Sequence, residues 1–228
     1  MKKSKPQQGR SIVRRFANWL SFKLCDKRSI DGLLVVYTGD EESKKINKVA
    51  AALKLISDFD PIRYKRMHHD LNRIWVLTIA GWVGRYQQAT STCELDERFV
   101  LNQGTTPERI ASTIVHEATH ARLGRCGIGY QEELRTRVEQ VCIRREMAFA
   151  RKLPSGADID QRAEMKLNSL SGLSDAAMAE RYFEGQRKAL LYLGGPAWLN
   201  DRVVSFHRWR HLRRLKQHEA ASPPDPRN

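Results

Sequence analysis

One amphipathic helix constrains this chain more than any other segment, because its start, its apolar face and its end can all be read from the sequence. Thr105 offers a hydroxyl cap, Pro107 suits the first turn, and Glu108 stands three residues after the cap, as in a capping box. Apolar residues then recur at helical spacing: Ile110, Ala111, Ile114, Val115 and Ala118. Gly124 and Gly127 end the pattern. We therefore predict a helix whose apolar face packs against a core.

Two histidines and a glutamate lie at the border of this apolar face, in the order His116-Glu117-x-x-His120. Residues four apart on a helix project within about 40° of one another, so the two imidazoles can bind one metal ion. Glu117 stands beside them, where a carboxylate can accept a proton from a metal-bound water and pass it to a leaving amine. Zinc sites that carry out hydrolysis usually take three protein ligands and leave the fourth position to water. A third ligand is therefore required.

Glu139 is the preferred third ligand. Eighteen residues separate it from His120, and it lies on a second predicted helix, Gln131–Ala150, which the glycine-rich turn allows to fold back on the first. Its neighbours Val138 and Ile143 are apolar, which indicates that the carboxylate is partly buried. A buried carboxylate has to be paired with a positive charge, which a metal ion can supply.

Four further residues remain open as the third ligand: Glu132, Glu133, Glu146 and Cys126. Glu132 and Glu146 lie seven residues to either side of the preferred ligand, a spacing equally typical of a solvated acidic helix face. Cys126 falls where the metzincin pattern has its third histidine. Leu123 occupies the position of the metzincin glycine, so that pattern fits less well.

The motif His116-Glu117-x-x-His120, followed after eighteen residues by Glu139, resembles the gluzincin superfamily of zinc metallopeptidases, of the thermolysin and aminopeptidase N type. The resemblance covers residues 105 to 154. It implies a zincin-like fold, Zn²⁺ held by the two histidines and Glu139, and hydrolysis of peptide bonds with Glu117 as general base. The upstream glycine motif of the aminopeptidases is missing, so the resemblance indicates a compact relative and does not imply aminopeptidase activity.

Upstream of the motif the sequence alternates between strand and helix patterns. Leu33–Tyr37 is predicted to be a buried strand, Glu41–Ser57 a helix, and Asp60-Pro61 the start of a short helix. Three more strands are predicted: Arg73–Ala80, Trp82–Gln87 and Thr92–Leu101. These elements predict an α+β fold with a small mixed sheet of about four strands. By analogy with zincins, Cys93–Leu101 is the expected sheet edge at which an extended peptide adds as another strand.

Beyond Pro154 the sequence predicts a helical extension, with helices at Ala163–Leu170 and Asp175–Leu193 and a break at Gly194-Gly195-Pro196. Aromatic and basic residues then interleave: Trp198, Arg202, Phe206, His207, Arg208, Trp209, Arg210, His211, Arg213, Arg214 and Lys216. Such a segment can neutralise phosphates and stack on bases. The favoured interpretation is a terminal helix that packs its apolar residues inward, because no nucleic-acid-binding module matches. The inward candidates are Trp198, Val203, Phe206, Trp209 and Leu212.

Composition narrows the class of protein. With 41% hydrophobic and 29% charged residues, the chain is typical of a soluble globular protein. Its 40 basic and 26 acidic residues give a net charge of +14, which favours an acidic partner or nucleic acid. The four cysteines form no Cys-x-x-Cys pair, and no segment reaches 18 apolar residues. We therefore expect reduced thiols, no transmembrane segment and a cytoplasmic location.

The sequence predicts one domain with additional segments at both ends. A disordered basic tail at 1–10 precedes a metallopeptidase domain at 11–154, which begins with an amphipathic helix over 12–24. A helical extension at 155–220 packs on this domain, and 221–228 form a disordered tail.

The function expected from these features is zinc-dependent hydrolysis of a peptide or protein substrate. Four residues are candidates for stabilising the oxyanion: Tyr130, Tyr182, His207 and His211. The alternative is a basic nucleic-acid-associated or regulatory protein whose metal site is structural or vestigial. The oligomeric state is left open.

Overall fold

A five-stranded mixed sheet lies at the centre of the computed structural model, which describes residues 25–37 and 41–221. The strands are β1 (Asp26–Ile30), β2 (Leu33–Tyr37), β3 (Arg73–Leu77), β4 (Gly84–Gln87) and β5 (Thr92–Asp96). They are ordered β1-β2-β3-β5-β4 across the sheet. The three inner strands run parallel, and β1 and β4 pair antiparallel with their neighbours at the two edges.

Eight α-helices accompany the sheet within the described residues. They are α1 (Glu42–Phe59), α2 (Pro61–Asp70), α3 (Glu97–Leu101), α4 (Pro107–Arg125), α5 (Glu132–Ala150), α6 (Ala157–Asn168), α7 (Asp175–Tyr192) and α8 (Ala197–Ala221). The predicted α+β class and mixed sheet are thereby confirmed, with one strand more than expected.

The hydrophobic core lies between one face of the sheet and the helices α1 and α4. Alternate residues of the inner strands point into it: Leu33, Val35, Tyr37, Ile74, Val76, Cys93 and Leu95. The helices contribute residues at helical spacing: Ile46, Val49, Leu53, Ile56, Ile110, Ile114 and Val115. Because α4 also contacts α5, α2 and β4, the helix that carries the two motif histidines is held on several sides.

The extra strand, β1, is joined to β2 by a two-residue hairpin. Asp31 and Gly32 both have positive φ angles, 48° and 85°, and Ile30 pairs with Leu33 across the turn. Asp-Gly is a strong local signal for this turn. The sequence analysis missed it because Asp26–Ile30 is polar and mostly exposed, and so lacks the apolar alternation of a strand.

Two strand predictions are wrong in part. Thr92–Leu101 is a strand only to Asp96, whose side chain accepts a hydrogen bond of 2.9 Å from the backbone N–H of Arg98 and so caps α3. The prediction that Cys93–Leu101 forms the sheet edge is also wrong. β5 is buried along its whole length between β3 and β4, and the edge strand is β4.

The predicted helices agree better with the structure than the predicted strands do, although some of their ends are shifted. The N-cap of α4 is Thr106 rather than Thr105, since the Thr106 hydroxyl accepts the hydrogen bond from Arg109 N–H at 3.4 Å. α6 begins at Ala157 instead of Ala163. The division at residue 155 stays a prediction and falls in the turn between α5 and α6.

The expected inward packing of the terminal helix is wrong for four of its five candidates. Trp198, Phe206, Trp209 and Leu212 are all exposed to solvent. α8 packs mainly along α7, so one side of it has no described neighbour. The predicted tail at 221–228 begins one residue too early, because Ala221 still belongs to α8. The rest of that tail, the predicted tail at 1–10 and the predicted helix at 12–24 lie outside the described residues. Within the described ranges, no helix has both the length and the apolar character needed to cross a bilayer.

Candidate metal centre

The metal-binding groups of three side chains, two imidazoles from α4 and one carboxylate from α5, lie close together. His116 Nε2 lies 3.3 Å from His120 Nε2 and 3.4 Å from Glu139 Oε2. His120 Nε2 lies 3.4 Å from Glu139 Oε1. Zinc bonds of about 2.0–2.1 Å in a tetrahedron require donors about 3.3 Å apart. The structure therefore brings together the three residues that the sequence analysis preferred, at the separation that zinc requires.

The convergence depends on two helices packed side by side. His116 and His120 are one turn apart on α4, and α5 folds back after the turn that contains Gly127, whose φ is +79°. All three side chains are largely shielded: the exposed fractions of His116, His120 and Glu139 are 15%, 13% and 15%. An acid so shielded is not part of a solvated face.

Glu146 contacts the opposite side of the first histidine. Its Oε2 lies 3.2 Å from His116 Nδ1, and its Oε1 accepts a hydrogen bond of 2.9 Å from the Ser112 hydroxyl. A carboxylate on the second ring nitrogen fixes the orientation and tautomer of a metal-binding imidazole. Glu146, which the sequence left open as a ligand, thus lies behind the ring. The three remaining candidate ligands are exposed: Glu132, Glu133 and Cys126.

Glu117 is buried between α4 and the edge strand β4. The backbone N–H of Tyr86 donates a hydrogen bond to its carboxylate. Gly84 makes this packing possible, because a Cβ there would lie 2.5 Å from Thr113 Cγ2 and 3.2 Å from Glu117 Oε1. Burial raises the pKa of Glu117, although the nearby imidazoles act against this. A carboxylate with a raised pKa accepts protons more readily.

Without a metal ion, the carboxylates around His116 favour the protonated form of its imidazole. Burial acts to lower the pKa of His116, but hydrogen bonds to Glu139 and Glu146 and the charge of Glu117 raise it to about 10. Burial acts to raise the pKa of Glu139, yet the two imidazoles hold it well below its usual range. A divalent cation can replace that proton and neutralise the same carboxylates.

Cys142 offers a second donor set that the sequence analysis did not consider. Its Sγ lies within 4.8 Å of ligand atoms of His116 and His120, and it is fully buried, three residues after Glu139 on α5. Burial and the charges of neighbouring carboxylates raise the pKa of this thiol. The Glu139 oxygens lie 3.4 Å from the imidazole nitrogens, and the pKa of their carboxyl is lowered while that of the thiol is raised, so the set with Glu139 fits a zinc ion better.

A cleft of about 450 Å³ opens beside the donor atoms. All four residues of β4 line it, together with His116, Glu117, His120 and Glu139. Its remaining walls are mostly apolar: Trp82, Leu123, Ile128, Val138, Leu173 and Met178. Arg181 of α7 adds a cationic group that the sequence analysis missed, because only the packing of α7 brings it there.

Of the four oxyanion candidates, Tyr130 is the one in this cleft. Its hydroxyl donates a hydrogen bond to Glu139 Oε1, and its ring meets that of His120 edge-on at 5.3 Å. The three candidates Tyr182, His207 and His211 line a different cavity between α7 and α8.

Comparison with known proteins returns no match. No family model, curated protein or solved structure matches the chain.

Proposed function

We propose that this protein is a zinc-dependent metallopeptidase with a zincin-like arrangement of sheet edge and active-site helix. The observation that carries the proposal is the spacing of 3.3–3.4 Å among donor atoms of His116, His120 and Glu139, on the wall of an open cleft. Two imidazoles and one carboxylate are a usual ligand set for zinc that retains an open position. Bound there, Zn²⁺ would polarise a peptide carbonyl and lower the pKa of water.

Glu117 is the proposed general base. It lines the same cleft, and its raised pKa suits a group that takes a proton from water and returns it to the departing amine. The Tyr130 hydroxyl, which donates to Glu139 Oε1 in this structure, would turn from that carboxylate to donate to the oxygen that gains negative charge at the carbonyl. Glu146 and Ser112 act through His116, because they hold its ring in place.

The substrate is expected to bind as an extended strand along β4. Among the strands that the structure describes, β4 pairs with β5 alone, and each of its residues, Gly84 to Gln87, lines the cleft. A peptide added there gains backbone hydrogen bonds, and alternate side chains enter the flanking pockets. The apolar walls favour apolar side chains, and Arg181 favours an acidic group in the substrate.

Zinc content tests the ligand set. Elemental analysis after zinc reconstitution should give one zinc per wild-type chain, and Glu139→Ala should lose most of it. Glu133→Ala, an exposed acid on the same helix, is the matched control and should retain zinc. Wild-type protein that stays free of metal after reconstitution would contradict the proposal.

Cys142 distinguishes a catalytic site from a structural one. If Cys142 is a fourth ligand, the site has no open position for water, and the metal is structural. Cys142→Ala should leave the zinc content unchanged if the proposed three-ligand set is correct. Loss of zinc equal to that of Glu139→Ala would instead support a structural metal.

A further inference from the structure

The outward side of α8 carries a row of aromatic and arginine side chains. Its members are Trp198, Arg202, Phe206, Trp209, Arg210 and Arg213, and we call this set the outer stripe. Trp198 is 65% exposed, and Phe206 and Trp209 are each 52% exposed. Residues at these intervals share one side of a helix. Burial in the described fold does not account for three large exposed rings, so a binding role has to be considered.

The opposite side of α8 is already occupied by α7. Arg208 pairs with Glu180, and Asp201 pairs with Arg187 at 2.7 Å. His207 Nδ1 lies 2.8 Å from Gln186 Nε2. The charges on that side are thus used within the fold.

The arginines of the outer stripe are not used in this way. No ion pair involves Arg202, Arg210 or Arg213 among the side chains that the structure describes, which extend to Arg213. Arg210 lies over the Phe206 ring at 5.6 Å, and Arg213 lies over the Trp209 ring at 5.2 Å. The two rings are themselves nearly parallel, with centroids 5.9 Å apart and planes at 26°. The stripe therefore presents flat aromatic and guanidinium groups together with uncompensated positive charge.

A cavity of about 360 Å³ adjoins the stripe. It lies between α7 and α8 and is lined by Ala179, Tyr182, Phe183, His207, Arg210 and His211. Its volume falls within the range of about 300–1,000 Å³ typical of small-molecule sites. Arg210 belongs to both the cavity and the stripe, so an extended ligand could contact both.

We infer that the outer stripe and this cavity bind single-stranded nucleic acid. Phosphates pair with Arg202, Arg210 and Arg213, bases stack on the exposed rings, and one base enters the cavity. A membrane surface fits less well. Arg202 and Arg213 lie along the same line as the aromatic rings, whereas a helix embedded in an interface keeps its cations off its apolar face. This binding does not require the metal centre.

Fluorescence anisotropy with labelled homopolymers of uridylate and of thymidylate tests the inference and separates RNA from DNA. A length of about 20 nucleotides exceeds the roughly 4–16 nucleotides that a single-strand-binding fold covers. Wild-type protein should bind, and its affinity should fall with salt. Arg213→Ala should reduce the slope of log affinity against log salt by about 0.7, the contribution of one phosphate contact. Trp209→Ala should weaken binding about five- to 150-fold through lost stacking.

Two variants outside the outer stripe test whether an effect on affinity is specific to the stripe. Arg144→Ala removes an exposed arginine from α5 and should leave the affinity unchanged, as should Glu117→Gln. Circular dichroism checks that each variant is folded. The inference is overturned if Arg144→Ala weakens binding as much as Arg213→Ala, or if Trp209→Ala has no effect. It is also overturned if vesicles of equal parts phosphatidylcholine and phosphatidylserine bind the protein while neither homopolymer does.

Discussion

The motif helix α4 and the terminal helix α8 each carry two histidines four residues apart, yet the tertiary structure uses them differently. On α4, His116 and His120 have exposed fractions of 15% and 13%, and carboxylates from α5 contact them. On α8, His207 contacts the amide of Gln186, and its neighbouring rings are open to solvent. The same spacing thus forms a candidate metal centre in one place and part of a surface in the other.

The difference lies in the number of neighbours that fix each helix. α4 is enclosed by α1, α2, α5 and β4, so its polar groups must find partners inside the protein. α8 packs mainly along α7, and water can solvate its other side. The carboxylates that α5 packs against α4 are therefore what raises the pKa of His116, and among the described residues α8 has no such partners beside His207.

The largest effect is expected on peptide cleavage, from a substitution of the proposed general base on α4. Glu117→Gln should reduce cleavage of a peptide library about 10²- to 10⁴-fold, because the amide cannot accept the proton. The zinc content should stay the same, since Glu117 is not among the three proposed ligands. Glu133→Gln serves as the exposed control. Full cleavage activity in Glu117→Gln would refute the proposed general base.

A smaller effect is expected when only the support of His116 is removed. Glu146→Gln should weaken zinc binding about 10- to 100-fold, because the amide holds Nδ1 less strongly than the carboxylate does. Competition with a chromophoric chelator measures the affinity. Glu164→Gln, an exposed residue on α6, is the control. An unchanged affinity in Glu146→Gln would show that the ring needs no such support.

The zinc affinity should also depend on pH. In the metal-free fold the pKa of His116 is raised from 6.5 to about 10, so zinc must displace a proton from it at any pH below about 10. The affinity should rise about tenfold per pH unit, with release of about one proton per zinc in calorimetry across several buffers. A zinc affinity that is constant between pH 7 and pH 9 would contradict the raised pKa of His116.

The same shift has a consequence for the metal-free protein. A histidine whose folded pKa is raised stabilises the fold fully below its unfolded pKa of 6.5. This contribution is lost as the pH rises toward about 10, and urea denaturation at a series of pH values measures it. Added zinc should remove this dependence, because the bound histidine is already deprotonated.

The smallest effect is expected on the exposed side of α8. Trp209→Ala should change the free energy of unfolding by no more than about 0.5 kcal/mol, because half of the side chain faces solvent. Ile114→Val removes a single buried methylene from α4 and should cost about 0.5–1.5 kcal/mol. Both values come from urea denaturation. A larger loss for Trp209→Ala than for Ile114→Val would mean that α8 is buried against a partner.

Much of the local structure could be predicted from the sequence. The helices around His116 and Glu139 follow from apolar spacing and terminating residues, and the α+β class follows from the alternation of elements. The Asp31-Gly32 turn is also visible in the sequence, but the strand before it is polar, so the hairpin was not predicted. The end of β5 could not be read in this way, because Asp96 ends the strand by capping α3.

What the sequence determined by itself was the pairing of His116 with His120, because their proximity depends only on one turn of helix. Tertiary structure alone decided that Glu139 meets both imidazoles while Glu146 lies behind one of them, and that Cys142 lies nearby. It also decided that β4 forms the sheet edge and that the rings of α8 face solvent. These features depend on how elements distant in the chain pack together, and hydrophobic periodicity reports only which side of each element is apolar.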